Sequence, residues 1–295
     1  MIALRAPAKI NLCLRVLGRR PDGYHELESV FQMVGLYDEV VLRPRHRGIS
    51  VDVEGVDLPH GSGNLAYDAA VALAREAGGV RGVSIHLAKQ IPLGAGLGGG
   101  SSDAAAVLIG LNRLWGLRWP RLRLAALGAA LGSDVPFFFF GPTAWVTGRG
   151  ERVAPAPSLR PSRSGPLPCW AVLVNPGFPV STQWAFQALD QAVGGTIRLT
   201  NGGSIYRMGR LSEASPASVR SRVNDLERIS VARYPVIEEI KVQLLKAGAV
   251  VARMSGSGPT VFGLFATHAE AAKAGAGLSP SWRRWVVRVL RRAPW

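Results

Sequence analysis

Residues 91–103, with the sequence IPLGAGLGGGSSD, decide the fold of this chain of 295 residues. The five glycines of this stretch let the backbone turn and let its N–H groups approach a ligand without a Cβ in the way. An apolar run over 104–114 predicts a helix, and Ser101 or Ser102 is the expected N-cap. A glycine loop that leads into a helix N-terminus combines converging N–H groups with the positive end of the helix dipole. The stretch therefore predicts a site for a phosphate group.

Three known kinds of glycine loop fit this stretch incompletely. Gly94, Gly96 and Gly99 match the dinucleotide-binding pattern G-x-G-x-x-G, but residues 114–120 lack the acidic residue expected about 20 positions on. A Walker A loop needs a lysine after its last glycine, where this chain has Ser101. A protein-kinase loop needs H-R-D and D-F-G motifs downstream, and neither occurs. A plain glycine turn is disfavoured, because five glycines cost more chain entropy than a turn requires.

The composition predicts a packed core. The chain is 47% hydrophobic and 19% charged, which is typical of a globular protein rather than a disordered one. The sequence contains no apolar run long enough to cross a bilayer and no signal-peptide pattern at its start. Cys13 and Cys169 lie far apart and have no metal-binding or redox spacing. We therefore expect a cytoplasmic protein without structural disulfides and without a membrane partner.

The net charge of +15, with a sequence pI of about 11, raises the possibility of a nucleic-acid partner. Of the 35 basic residues only five are lysines, and most of the 30 arginines are scattered singly along the chain. The densest cluster, over 283–292, fits one solvated face of an amphipathic strand or helix. No nucleic-acid recognition motif accompanies the charge. Nucleic-acid binding is thus kept only as an alternative of a different class, and the main interpretation has no nucleic-acid partner.

Strand-like and helix-like segments alternate in both halves of the chain, which predicts an α+β protein of two domains with a cleft between them. The proline-rich residues 155–167 predict a linker, so the domains are expected over 1–154 and 168–295. Residues 196–222 are polar and predict a long excursion. Asn64 is expected to cap a helix over 65–77.

Three motifs resemble those of the GHMP small-molecule kinases in their order and spacing: PAKINL at 7–12, PLGAGLGGGSS at 92–102 and SGSGPTVF at 255–262. The resemblance runs from about residue 5 to about residue 266. It implies an N-terminal ATP-binding domain that is similar to ribosomal protein S5 and a ferredoxin-like C-terminal domain. The implied activity is transfer of a phosphoryl group from ATP to a small alcohol.

Three further segments resemble one branch of this family, whose acceptor alcohol carries a cytidine diphosphate. They are GYHEL at 23–27, GSDVPF at 132–137 and NDLE at 224–227. The other GHMP kinases that remain as alternatives act on homoserine or mevalonate, which carry no base. A monomer or a homodimer is expected.

The resemblance assigns the glycine stretch to ATP and implies Mg²⁺ as a cofactor. The implied ATP-binding residues are Pro92, Leu93, Gly94, Ala95, Gly96, Leu97, Gly98, Gly99, Gly100, Ser101 and Ser102, with Asn64 at the adenine. For Asn64 the role of a helix cap is a close alternative. We assign no protein ligand to the metal, because Mg²⁺ in such sites is held largely by phosphates and water.

Lys9 and Asp134 are the implied catalytic residues. Phosphoryl transfer needs a base for the acceptor hydroxyl and positive charge near the transferred group. From the residues alone, Asp134 fits an N-cap equally well. Lys9 lies in an apolar strand, where an unpaired charge would be energetically costly. A cation there would stabilise both ionised Asp134 and a developing alkoxide. Alternation along the strand places Lys9 and Asn11 on the same face.

The remaining site residues are implied to bind the acceptor substrate. Tyr24 and Phe186 would lie on either side of the cytosine, and His25 would form a hydrogen bond with it. For Phe186, ordinary helix packing is an equally good interpretation. Asn11 would face the substrate beside Lys9, Thr182 would lie near the cytidine, and Phe31 would line the pocket.

Overall fold

The computed structural model describes residues 1–79, 81–156, 168–192 and 223–295. The predicted linker, apart from its first two residues, and the predicted excursion over 196–222 lie outside the described residues. In chain order the strands are β1 (Ile2–Arg19), β2 (His25–Arg45), β3 (Ile49–Glu54), β4 (Gly82–Ala88), β5 (Thr143–Gly148), β6 (Arg152–Pro155), β7 (Trp170–Asn175), β8 (Val251–Met254), β9 (Val261–Phe265) and β10 (Arg283–Arg288). The helices are α1 (Leu65–Glu76), α2 (Gly99–Leu114), α3 (Arg121–Leu131), α4 (Phe137–Phe140), α5 (Thr182–Ala192), α6 (Asp225–Arg233), α7 (Val236–Lys246) and α8 (His268–Ala276). Within these ranges, no helix has the length and apolar character needed to cross a membrane.

The first sheet is built on β2. Strand β1 pairs with β2 in antiparallel fashion from end to end, while β5 and β4 follow one another along its other edge, at 27–32 and 39–45. Strand β2 is a single strand of 21 residues. Residues 29–34 are buried on both faces of the sheet, so the alternation that marks a half-exposed strand is lost there.

Helix α2 covers one face of this sheet and packs against α1, β1 and β2. Its central residues are all buried, and a Cβ at Gly110 would collide with the Leu42 side chain. Glycine at position 110 therefore lets the helix approach the sheet closely.

The predicted serine cap of α2 is wrong. The N-cap is Gly98 in the left-handed conformation, with φ 70° and no side-chain hydrogen bond, and Ser101 and Ser102 lie inside the first turn. Glycine adopts this left-handed conformation readily, so Gly98 turns the chain into the helix without a side-chain cap. The helix therefore begins at Gly99, ahead of both serines. In contrast, Asn64 caps α1 as predicted, because its side chain accepts a hydrogen bond from the N–H of Ala66.

The second sheet has the strand order β10-β7-β9-β8, and every neighbouring pair is antiparallel. Numbered within this half of the chain, the order is 4-1-3-2 with helices between the first and second strands and between the third and fourth. This is the ferredoxin-like arrangement, and the α+β class predicted from the sequence is confirmed. Helix α7 buries Ile237, Ile240 and Leu244 beneath the sheet.

The two halves are joined by more than the covalent chain. Leu14 and Val16 of β1 belong to the apolar core of the second half. After β10 the chain returns to the first sheet, where the N–H of Leu290 donates to the carbonyl of Met33 at 3.0 Å and Gln32 Nε2 donates to the carbonyl of Leu290 at 2.8 Å. The domain boundaries at 154 and 168 remain a prediction.

Candidate active site

A cleft of about 970 Å³ lies where the two halves meet. It is lined by the glycine stretch, by the facing ends of β1 and β2, by one side of α5, and by the second glycine loop at 256–257. These parts are distant in sequence, and the fold brings them together.

The glycine stretch is bound to both halves of the molecule. The N–H of Lys9 in β1 donates to the carbonyl of Leu97 at 2.9 Å. Gly94, Gly96 and Gly98 have φ values of 57°, 74° and 70°, which disfavour residues with a side chain. A Cβ at Gly96 would also collide with the carbonyl oxygen of Ser255 in the second half. Glycine is therefore required here both for the turns and for close contact between the halves.

The N-terminus of α2 opens into the cleft. The N–H of Ser102 donates to the carbonyl of Gly98 at 2.9 Å and is the first donor within the helix, so the N–H groups of residues 99, 100 and 101 have no acceptor inside the helix. Such free N–H groups, together with the helix dipole, form an anion-binding site. Nine of the predicted ATP-binding residues line the cleft: Pro92, Leu93, Gly94, Ala95, Gly96, Gly98, Gly99, Gly100 and Ser101.

Three other predicted ATP-binding residues do not line the cleft. Leu97 is buried in the apolar core. Both ends of the Asn64 amide are bonded within the protein, since Oδ1 accepts from the N–H of Ala66 and Nδ2 donates to the carbonyl of Pro59 at 2.9 Å, and the geometry gives no support to an adenine contact. The Ser102 hydroxyl is buried and, within the described residues, has no hydrogen-bond partner.

Lys9 and Asp134 form an ion pair in the cleft. Lys9 Nζ lies 3.3 Å from Asp134 Oδ2, donates to Asn11 Oδ1 at 2.7 Å and lies 4.5 Å from the centre of the Phe31 ring. The predicted common face of Lys9 and Asn11 is thereby confirmed. Lys9 is 4% exposed and Asp134 is 31% exposed, so the lysine is held by the fold and the carboxylate faces the cleft.

Asp134 does not cap a helix. The following helix, α4, has Pro136 at its N-cap and no side-chain cap hydrogen bond. The alternative interpretation that the sequence left open is therefore wrong, and the partner of Asp134 is Lys9.

A hydrogen-bond network positions Asn11 and through it Lys9. Asn11 Nδ2 donates to Ser29 Oγ at 3.1 Å, and the N–H of Asn11 donates to Ser255 Oγ at 3.2 Å. Ser255 Oγ in turn donates to the carbonyl of Gly96 at 2.9 Å. The strand that carries Lys9 and the two glycine loops are thus fixed relative to one another.

At the other end of the cleft lie the residues predicted to bind cytosine. Phe186 stacks on His25, with ring centres 4.7 Å apart and planes 18° from parallel. Tyr24 is half-exposed and lies beneath the guanidinium of Arg149, at 5.1 Å. Thus the structure brings all three predicted rings to the cleft, but it pairs Phe186 with His25 and not with Tyr24. Thr182 Oγ1 forms a hydrogen bond with Ser257 Oγ at 2.9 Å.

A buried charged cluster, consisting of Asp38, Lys89 and Asp103, lies at the base of the glycine stretch and was not expected from the sequence. Lys89 Nζ forms ion pairs with Asp38 and, at 2.5 Å, with Asp103 Oδ2. Asp38 Oδ1 accepts hydrogen bonds from the N–H groups of Gln90 and Ile91 at 2.6 and 2.8 Å. Since Lys89 precedes the glycine stretch and Asp103 ends it, their ion pair closes the loop.

One lysine faces two carboxylates in this cluster, so their titrations are linked. Burial raises the pKa of Asp103 to about 7; Asp38 adds to the effect and Lys89 opposes it. The pKa of Lys89 is also raised, because attraction to Asp103 and Asp38 outweighs its burial. The lysine is thus held as a cation by its two carboxylates, whereas Asp103 resists ionisation mainly because it is buried.

No group of three or more His, Cys, Asp or Glu residues that could hold a metal occurs in the part of the chain that the structure describes. In the cleft, Ser101 and Asp134 supply oxygen donors beside the start of α2. This sparse oxygen set fits Mg²⁺ that is carried mainly by phosphate and water.

Two family models match the chain. The model of the GHMP kinases N-terminal domain matches residues 64–142, and that of the GHMP kinases C-terminal domain matches residues 197–282. Fold, glycine stretch and cleft are thus those of a GHMP kinase.

Known proteins define the branch of the family. The 4-diphosphocytidyl-2-C-methyl-D-erythritol kinase of Syntrophotalea carbinolica is 46% identical over 97% of this chain and 98% of its own length. A crystal structure of a 4-(cytidine 5'-diphospho)-2C-methyl-D-erythritol kinase, 35% identical, superposes with a TM-score of 0.76 over 97% of this chain and 98% of that one. A homoserine kinase from Cytophaga hutchinsonii has a TM-score of 0.70 over 98% and 96% of the two chains at 22% identity, a likeness of fold alone. The chain belongs to the family of 4-diphosphocytidyl-2-C-methyl-D-erythritol kinases.

Proposed function

We propose that this protein transfers the γ-phosphoryl group of ATP to the 2-hydroxyl of 4-diphosphocytidyl-2-C-methyl-D-erythritol, in the non-mevalonate pathway to isoprenoid precursors. The products are ADP and the 2-phosphate of the substrate. The observation that carries the proposal is the Lys9–Asp134 ion pair in the same cleft as the open N-terminus of α2. A candidate base and a candidate phosphate-binding site thus open into the same cleft.

Each part has a role in the transfer. The N–H groups of residues 99, 100 and 101 and the dipole of α2 hold the phosphates of ATP. Asp134 accepts the proton of the acceptor hydroxyl while the oxygen forms its bond to the γ-phosphorus and the bond from phosphorus to the bridging oxygen of ADP breaks. Lys9 holds the carboxylate in place and stabilises the negative charge that develops on the attacking oxygen. Mg²⁺ bound with ATP would neutralise part of the phosphate charge and would be held mainly by phosphate oxygens and water.

Recognition of the acceptor is assigned to the far end of the cleft. Tyr24, His25 and Phe186 offer ring faces and a hydrogen-bonding edge, which suit a nucleobase. Thr182, Asn11 and Phe31 also line the cleft. Binding energy from the remote base would hold the reacting hydroxyl against Asp134.

The proposal is tested by measuring ADP release with a panel of acceptors: the full cytidylyl substrate, free methylerythritol phosphate, homoserine and mevalonate. We expect turnover of the full substrate, and kcat/KM at least about a hundred-fold lower for the others, since a stacked and hydrogen-bonded base contributes roughly 3 kcal/mol or more. Equal turnover of free methylerythritol phosphate would contradict the cytosine assignment. Preference for homoserine or mevalonate would replace the proposed acceptor.

Asp134→Asn supplies the control for this assay. It keeps the size of the side chain and removes the base, so kcat should fall by roughly two orders of magnitude or more while ATP still binds. Near-normal kcat in this variant would remove Asp134 from the mechanism.

A further inference from the structure

His25 is held by a carboxylate that no sequence motif indicated. His25 Nε2 lies 2.8 Å from Asp190 Oδ1 on α5, although the two residues are 165 positions apart. His25 is 8% exposed, and the ring of Phe186 covers one of its faces. Arg19 contacts the other carboxylate oxygen of Asp190, with Arg19 Nη1 4.0 Å from Oδ2. The imidazole ring is therefore fixed in both position and orientation.

This contact determines which ring nitrogen carries the proton. An ionised carboxylate has no proton and can only accept a hydrogen bond, so Nε2 must be the N–H donor. In the neutral ring Nδ1 is then an acceptor. Within the described residues no side chain or backbone group forms a hydrogen bond with Nδ1, and His25 lines the cleft.

We propose that Asp190 is a positioning residue that makes the enzyme specific for cytosine over uracil, by fixing His25 with its proton on Nε2 and an acceptor at Nδ1. The proposal rests on the proposed function. It concerns Asp190, which acts through His25 and is not assigned a contact with substrate.

The two bases differ in the group that such an acceptor would meet. The exocyclic N4 amino group of cytosine donates a hydrogen bond, whereas O4 of uracil only accepts one. An acceptor at Nδ1 therefore pairs with cytosine and opposes uracil. If uracil binds, two acceptors, Nδ1 and O4, face each other in a buried site. Neither can recover the hydrogen bonds it makes in water, so uracil is strongly disfavoured.

The proton position can be measured on the free protein. In protein labelled with ¹⁵N at its five histidines, long-range ¹H–¹⁵N spectra at pH 8 distinguish the two neutral tautomers and the charged ring. A His25→Gln variant identifies the signals of His25. We expect the neutral ring with its proton on Nε2. A proton on Nδ1, or on both nitrogens, would overturn the proposal.

The specificity is measured with two acceptors, the cytidylyl substrate and its uridylyl analogue. Asp190→Asn keeps the shape of the side chain but can either donate or accept, so the ring is free to offer Nδ1–H to uracil. The ratio of kcat/KM for the cytidine acceptor to that for the uridine acceptor should fall by about tenfold or more. Asp190→Glu, which is again only an acceptor, should retain most of the selectivity.

Gln191→Ala, at the neighbouring exposed position of α5, is the control and should leave the ratio unchanged. A variant that merely loosened the helix would lower kcat/KM for both acceptors equally, which would contradict the proposal. Failure of the proposed function would be distinguishable: neither acceptor would be turned over, while the nitrogen signals could still show Nε2–H. Normal turnover with an unchanged ratio in Asp190→Asn would overturn the present proposal alone.

Discussion

Two buried lysines of this protein are held in different ways. Lys9 has one carboxylate, Asp134, and the side chain of Asn11 as partners, and its carboxylate faces the cleft. Lys89 has two carboxylates and is enclosed with them, away from water. The first arrangement places the lysine charge in the cleft, while in the second the two carboxylates pair with the lysine and hold the glycine stretch in shape. Lys9 lies within β1 and Lys89 directly follows β4, so both have apolar strand neighbours and their partners separate their roles.

At the residue scale, the charged cluster predicts an unusual pH dependence for Asp103→Asn. The pKa of Asp103 is raised to about 7 by burial, from 3.8. The folded state therefore binds this proton more tightly than the unfolded state, so the contribution of Asp103 to stability falls as pH rises from about 4 to about 7. Asparagine lacks this titration and can still accept from Lys89. Relative to wild type, the variant should gain stability across this window, by up to a few kcal/mol.

The measurement is urea unfolding of both proteins at several pH values between 4 and 8. Asp57→Asn, which removes an exposed carboxylate, is the matched control. A difference between Asp103→Asn and wild type that does not change with pH would contradict the assigned cause.

At the element scale, the start of α2 depends on backbone rather than on side chains. Gly98 turns the chain into the helix, and its ideal Cβ would lie 3.0 Å from Lys9 Cγ. A larger residue there would both strain the backbone and displace Lys9, so Gly98→Val cannot test the proposed phosphate site by itself. Gly100 offers a cleaner probe, because a Cβ there meets only Leu65 Cδ1, at 3.5 Å.

We predict that Gly100→Val raises the KM for ATP by about tenfold or more with little change in melting temperature. The side chain would occupy the space in front of the free N–H groups, without straining the helix, since valine is a better helix former than glycine. The matched variant is Gly96→Ala, whose Cβ collides with Ser255 and which should lower the melting temperature. Unchanged ATP affinity in Gly100→Val would show that this helix end does not bind the phosphates.

At the scale of the whole molecule, the last residues tie the second half to the first. Trp295 packs against the core of the first half, and its Nε1 donates to the carbonyl of Phe138 at 3.2 Å. The hydrogen bonds of Leu290 to the first sheet belong to the same segment. The arginines predicted to form a solvated face lie in this region too, and Arg283, Arg284 and Arg288 of β10 are exposed.

We predict that Trp295→Ala lowers the free energy of unfolding by roughly 1–3 kcal/mol, through lost packing and one lost hydrogen bond. Because the segment joins both cores, calorimetry should still show one transition, shifted down by several degrees. Arg292→Ala, an exposed change in the same segment, should have no measurable effect. Separate melting of the two halves in wild type would contradict this account.

The sequence by itself determined the features that local chemistry controls. Asn64 as a helix cap, the alternation that puts Lys9 beside Asn11, and the glycines at 94–100 each depend on neighbours a few positions away. The motifs assigned the family, and the alternation of strand-like and helix-like segments indicated the fold class. No comparable local rule could show that residues 25–45 form one strand, because their alternation is masked by burial on both faces.

Only the tertiary structure decided which charged groups meet. Asp38 reaches Lys89 across 51 positions and His25 reaches Asp190 across 165, and no spacing rule connects either pair. The structure likewise shows that Asp134 pairs with Lys9 and does not cap a helix. It also shows that the N-cap of α2 is Gly98 and not one of the serines. The physical reason is that propensity and periodicity act over a few residues, whereas ion pairs and buried hydrogen bonds depend on where the packing of sheets and helices places distant side chains.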